Sequence, residues 1–292
     1  MLCTFSLKVE ESLSEETWSK MRHTFHPHNI PSLKVTKARV EFLAAYHPVA
    51  YDCCVNSCIC YVGPHKAKMH CPYCKEAHKN GNGRSRKTFT YSPIIPRLKA
   101  FFKNQEMINL MAYQGNYIHE EDTIKDIFDG ENYMCLKETF VTIGGVRQGH
   151  KFFSDSCDVA LRLSLDSFCP FKQWNQTCWP LILFNYNLPP NIQFHLQYIL
   201  CTGIIPGPRK PKDLDSFAYP LIVELLEFLT GIPAFDVERN ELFALSTYLV
   251  AVFGDIPAIS MIMCMKCHNA IFPCHMCMIK GIRVPDTRNT AH

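Results

Sequence analysis

The most regular pattern of apolar and polar positions lies in the second half of the chain. "DVALRLSLD", residues 158–166, alternates apolar and polar side chains, as a half-buried strand does. "WPLILFNYNL" is a continuous apolar run of strand length ended by Pro189 and Pro190, and "HLQYILCTGIIPGP" predicts a third strand stopped by Pro206, Gly207 and Pro208. "SFAYPLIVELLEFLTG" has apolar residues at helical spacing and Gly231 as its stop. "LFALSTYLVAVFGDIPA" reads equally as a buried strand or a helix, because periodicity alone does not separate the two. The first half is less regular. The start reads as strand-like, followed by a short helix over "EETWSKMRHTF" with Ser12 and Glu15 as a capping box. A second helix fits "SLKVTKARVEFLAAYHP". "KNGNGRSRK" reads as a basic loop or hairpin tip, and "TFTYSPIIPRLKAFFKNQEMINLMAY" as an extended segment with a helix from near Pro96. Residues 115–150 are polar, with a turn expected at Gly130.

The 292 residues, 47% hydrophobic and 20% charged, fit a globular protein with a sizeable core. A formal net charge of +3 predicts no polyanion partner from bulk charge, so any nucleic-acid surface is local. No apolar run approaches the roughly 20 residues of a membrane span. The first residues lack a secretory pattern, so an intracellular address is expected.

Sixteen cysteines change the picture. In a reducing compartment they point to metal rather than disulfides. Cys3, Cys135, Cys157, Cys169, Cys178 and Cys201 are scattered and suit small core positions. The other ten cluster. Cys54 and Cys58, then Cys71 and Cys74 after a twelve-residue gap, have the paired spacing of a tetrahedral zinc site with four protein ligands. Cys53 and Cys60 leave room for another register, and His65, His70 and His78 are alternative ligands. A second cluster, "CMKCHNAIFPCHMC", offers Cys274 and Cys277 with Cys264, Cys267, His268 and His275 nearby; the ligands taken forward are His268, Cys274 and Cys277.

Two acids stand where apolar elements give out: Asp166 in "LSLD" and Asp255 in "VFGD", 89 residues apart. Carboxylates from distant parts of a chain hold divalent ions about 3.5–4 Å apart in two-metal phosphodiester chemistry, and Mg²⁺ or Mn²⁺ suits such oxygen donors. An aspartate at a strand end is equally a turn or cap residue, and Asp155 and Asp158 compete for the first position. Arg84, Arg86 and Lys87 lie in "RSRKTFTY", a basic stretch interleaved with aromatics that suits DNA phosphates or a solvated loop.

Taken together, "FSLKVEESLS", "YDCCVNSCICYVGPH", "CPYC", "FTYSPIIPRLKAFF", "LRLSLDSFCPF", "WPLILFNYNLPP", "IPGPRKPKD", "FALSTYLVAVFGDIPAISM" and "CHMC" resemble, in order, the transposases of CACTA (En/Spm-type) DNA transposons of the fungal kind. The resemblance implies an α/β fold: an incomplete RNase H-like domain, with a mixed sheet and helices, preceded by a small zinc-ribbon-like module. The implied division is a leader over 1–50, the cysteine module over 51–78, a basic loop and linker over 79–150, the first half of a DDE/D catalytic domain over 151–263, and a Cys-x-x-Cys segment over 264–292. It places the first two catalytic acids on Asp166 and Asp255, and implies Mg²⁺ or Mn²⁺ at the acids, Zn²⁺ at the cysteines, transposon-end and target DNA as partners, a homo-oligomer and a nuclear address.

The sequence departs from that family in three places. Ser167 replaces a glycine after the first acid, which is expected to strain the turn. Cys267 replaces another glycine. The family's third acid lies well downstream of its Cys-x-x-Cys, whereas this chain ends 15 residues after Cys277 and offers only Asp286 there. The expectation is therefore a truncated or partial transposase with little or no cleavage of its own. The alternatives are a non-catalytic, zinc-stabilised DNA-binding or interaction protein and a transposon remnant without function.

Overall fold

The alternating segment Val159–Leu165 is a strand, and the larger part of the molecule is organised around it. In the computed structural model the described residues are 1–25, 30–169, 177–266, 270–277, 279–285, 287 and 290–291. In chain order the helices and strands are α1 (Leu2–Glu10), α2 (Glu15–Thr24), α3 (Leu33–Ala44), β1 (Val49–Asp52), β2 (Thr88–Tyr91), α4 (Ile95–Phe101), α5 (Gln105–Met111), α6 (Glu131–Glu138), β3 (Phe140–Ile143), β4 (Val146–Lys151), β5 (Val159–Leu165), β6 (Trp179–Asn185), β7 (Leu200–Ile205), α7 (Leu214–Phe228), β8 (Ile232–Asp236), β9 (Glu241–Leu245), β10 (Thr247–Gly254), α8 (Ile256–Ile262), β11 (Ile282–Arg283) and β12 (Thr290–Ala291). The chain divides into two units, Met1–His47 and Pro48–His292.

Among the described residues of the first unit the regular elements are the helices α1, α2 and α3, which corrects the strand-like reading of its start. Leu2, Phe5 and Val9 follow a helical rather than a two-residue period, and Phe5 meets the buried Trp18 edge-on at 6.4 Å. The capping box is also corrected. Ser12 has φ +49°, outside the extended backbone that an N-cap requires. Ser14 takes the role instead, its Oγ accepting from Thr17 N at 3.0 Å. Ser32 likewise caps α3.

In the second unit six strands form a mixed sheet in the order β1-β2-β7-β6-β5-β10. Strand β6 runs antiparallel to both β5 and β7, whereas β10 lies parallel to β5. A parallel neighbour needs a long crossover, and α7 with the β8–β9 hairpin supplies it. The segment left open between strand and helix is therefore β9 and β10. Helix α7 presents Leu214, Phe217, Leu221, Leu225 and Phe228 at helical spacing to the main core, where Phe217 meets Phe89 edge-on at 5.4 Å. Leu161, Leu163 and Leu165 of β5 point into that core, so Arg162 and Ser164 lie on the opposite, half-buried face.

Residues 115–150 are more ordered than their polarity suggested. They contain α6 and the β3–β4 hairpin, whose turn is Gly144-Gly145 with φ of +55° and +82°, a conformation glycine adopts without a Cβ penalty. With residues just after them they build a second, aromatic-rich core of Phe128, Tyr133, Val141 and Phe153. This core covers the sheet at Ala160, Tyr186 and Tyr248, near the start of β5. The expected helix from Pro96 is two short helices, α4 and α5, separated at Asn104, whose side chain caps α5 by accepting from Met107 N at 3.1 Å. No helix among the described residues is long and apolar enough to cross a membrane.

Candidate functional site

The register of β5 and β10 decides where the two acids go. Leu165 pairs with Gly254, and the next residue on each strand is Asp166 or Asp255. Two residues 89 apart in sequence thus leave the same end of two neighbouring strands, which run about 4.8 Å apart. By alternation both belong to the face that carries Arg162, Ser164 and Phe253. Both are exposed. Asp166 Oδ1 accepts from Ser167 N at 2.6 Å. Asp255 is the N-cap of α8, with Oδ1 accepting from Ala258 N at 2.7 Å. Each carboxylate therefore spends one oxygen on local backbone, and the other has no protein partner among the described residues and is left for a hard cation. Ser167 does not have positive φ, so the strain expected from replacing a glycine there does not arise.

Gly254 makes the close approach feasible. A Cβ at this position would stand 2.3 Å from Leu165 O and 3.0 Å from Ala258 Cβ. Gly254→Ala is expected to destabilise the protein by about 1–3 kcal/mol, as overpacking does, and to pry apart the ends of β5 and β10; thermal melting checks the first effect. The rival acids lie elsewhere. Asp158 is 3% exposed at the opposite end of β5, its Oδ2 accepting from Asp155 N at 3.1 Å.

The cysteine module forms a second site. Cys54, Cys58, Cys71 and Cys74 place their sulfurs within 4.8 Å of one another. Tetrahedral zinc with Zn–S of about 2.3 Å needs sulfurs about 3.8 Å apart, so the four could hold a zinc ion. Two tight turns present them. Ser57, at φ +58°, donates its N–H to Cys54 O at 2.7 Å, and Lys75, at φ +64°, donates to Cys71 O at 2.9 Å. Asn56 N donates to Cys54 Sγ at 3.4 Å. The Tyr61 hydroxyl, packed in the same cluster, is buried with no partner, which suits a donor that meets a thiolate once metal is bound. Burial pushes the Cys54 thiol up to about 11 and Cys58 higher still. At Cys74 desolvation is outweighed by donors, first the Asn56 side chain and the Glu76 backbone, and the thiol falls to about 7.

Of the alternative ligands, Cys53, Cys60, His65 and His78 are engaged elsewhere, and His70 is exposed and outside the four-sulfur cluster. Cys53 and Cys60 face one another across a β-bridge and belong to the main core. His78 stacks on Tyr61 at 3.7 Å and bonds Asp52 Oδ2 at 2.8 Å. His65 Nε2 bonds Asp213 Oδ2 at 2.6 Å, at the start of α7. In the carboxy-terminal cluster Cys274 and Cys277 remain side by side, and the Met276 N–H and then the Cys277 thiol lower the Cys274 thiol. His275 Nε2 bonds Ser260 Oγ at 2.8 Å. His268 and Cys267 lie outside the described residues, as does Asp286.

The basic stretch splits. Arg84 is exposed, and Arg86 pairs with Glu76 at 2.6 Å. Lys87 turns inward, donating to Ser57 Oγ at 2.7 Å, to Pro206 O at 3.3 Å and to Gly207 O. It ties the first zinc turn to the loop after β7, and burial lowers its ammonium pKa. Sequence reasoning missed this bracing role, as well as Ser57, Tyr61 and Gly254; only Gly254, in the apolar-to-acid junction "FGD", carried a visible signal.

Compared with known families, residues 146–289 match the transposase family tnp2. The match is just under half of the chain, runs from β4 past α8, includes both acids and both late cysteines, and leaves out the four-cysteine module. It supports a transposase family for this part of the molecule. No curated protein and no solved structure matches the chain.

Proposed function

We propose that this chain is a CACTA-type, transposase-derived protein whose Asp166 and Asp255 hold a divalent ion for phosphodiester cleavage on an RNase H-like sheet. The carrying observation is the Leu165–Gly254 register, which places both acids at one end of a parallel strand pair. An antiparallel run of three strands followed by a helical crossover to a parallel fourth supports the RNase H-like reading, and the tnp2 match supports the transposase. When bound, Mg²⁺ or Mn²⁺ would activate water and neutralise charge building on the phosphate. The chain's own contribution is to fix two carboxylates by backbone donors, each with an oxygen left for metal. Arg84 and Arg86 supply phosphate contacts outside the catalytic face, and action on DNA implies a nuclear address.

A pair of carboxylates holds one ion better than two, so slow cleavage is expected from these two residues by themselves. Asp166→Asn and Asp255→Asn keep the backbone hydrogen bonds and remove the charge. Each is expected to weaken Mn²⁺ binding by about tenfold or more and to abolish Mn²⁺-dependent nicking of supercoiled plasmid. Equal Mn²⁺ affinity in wild type and both variants would sink the proposal. One observation favours a second, non-catalytic reading: Asp255 already has a complete structural role as the cap of α8. In that case DNA binding persists in both variants and responds only to loss of the cysteine site.

A further inference from the structure

Arg162 lies two positions before Ser164 and four before Asp166 on one face of β5. Its guanidinium carbon stands 3.9 Å from the centre of the Phe253 ring, and Nη1 donates to Tyr186 Oη at 2.9 Å. Nε is buried and has no hydrogen-bond partner. Among the described residues no carboxylate is within ion-pair distance of this arginine. A half-buried cation without a counter-charge is costly, and stacking on an aromatic ring offsets part of that cost. The ring belongs to β10, two residues before Asp255, so the arginine is fixed by the same strand pair that carries both acids. The aromatic core over Ala160 and Tyr186 covers the start of β5, not the end where the acids stand.

From this arrangement we infer that Arg162 is a positioning residue that grips a phosphate of the DNA strand next to the one being cleaved. Four residues of strand separate it from Asp166 by about 13 Å, too far for the scissile group and near enough for a neighbouring one. With Nη1 spent on Tyr186 and Nε buried, a guanidinium seated over Phe253 still has Nη2 to donate to a phosphate, at little further entropy cost. The inference rests on the proposed DNA cleavage, and its test separates the two.

Binding of a mixed-sequence duplex is measured across a salt series. Arg162→Gln is expected to lower the slope of log affinity against log salt by about 0.9, one phosphate contact, whereas Arg162→Lys keeps the slope. A folded Arg162→Gln protein, with wild-type zinc content and circular dichroism, that keeps the full slope overturns the inference. Should Arg162→Gln fail to fold, duplexes carrying a single methylphosphonate at successive positions are compared between wild type and Arg162→Met, which has no charge and can still pack on Phe253. A penalty that differs at one phosphate beside the cleavage point supports the contact, and equal penalties at every position overturn it. Asp166-dependent nicking with an unchanged slope removes this inference alone. A reduced slope without such nicking leaves the contact and removes the cleavage reading. No DNA binding at any salt removes both.

Discussion

Stripping zinc with a chelator, or replacing Cys71 by serine, is expected to unfold the segment between β1 and β2 and lower the melting temperature of the Pro48–His292 unit. Three of the four thiols are buried, and without metal they are only weakly bonded sulfur atoms among apolar neighbours. Structural zinc sites supply about 10 kcal/mol or more of apparent binding free energy in small domains. Here the strands and the His65–Asp213 and His78–Asp52 pairs retain some structure without it. The purified protein should hold about one zinc ion at this module. Because burial pushes Cys54 up to about 11 and Cys58 beyond it, metal must displace protons there, so zinc affinity should fall steadily as pH falls. Metal analysis with paired melting curves checks this; a chelated protein melting with the untreated one would refute it.

Asp158→Asn should stabilise the protein at neutral and mildly alkaline pH. Burial raises this carboxyl to about 7 from an ordinary 3.8, and the neighbouring charge of Asp155 adds to the effect against the Asp155 and Ser154 backbone donors. The sign follows from proton counting. Between about 4 and 7 the folded state keeps a proton that the unfolded chain has released, so stability falls as pH rises through this window and levels off above it. The loss is at most about 4 kcal/mol, three units at about 1.4 kcal/mol each. Asparagine still accepts the Asp155 N–H and carries no charge, so the variant's stability should be flat where the wild type's declines. Denaturant midpoints at several pH values decide it; parallel curves would mean that Asp158 is ionised in the fold.

Much of the central sheet was legible because β5, β6 and β7 carry clean apolar patterns bounded by prolines or an acid. The apposition of Asp166 and Asp255 was legible only as an expectation, since nothing local in "LSLD" or "VFGD" encodes a parallel register. The helix at the start was misread because Leu2, Phe5 and Val9 span too few residues to separate one period from another. The β3–β4 hairpin was passed over although Gly144-Gly145 is a strong turn signal, because Val146–Lys151 is polar and only partly buried. Lys87 and Arg162 show the limit for charged residues. One braces a loop and the other stacks on a ring, and neither role can be read from a positive charge in or beside a strand.

The cysteine module's flanking strands finish the border of the acid-bearing sheet. β2 meets β7 through Tyr91 and Gly203, and Phe89 lies so close that a Cβ on Gly203 would be 2.6 Å from its ring. Any shortened protein that begins where the tnp2 match begins, at residue 146, would lose the Tyr91–Gly203 pairing and leave the outer edge of β7 uncovered, with only β6 beside it. Bare borders of this kind recruit other chains, so such a fragment should precipitate or self-associate even with both acids intact.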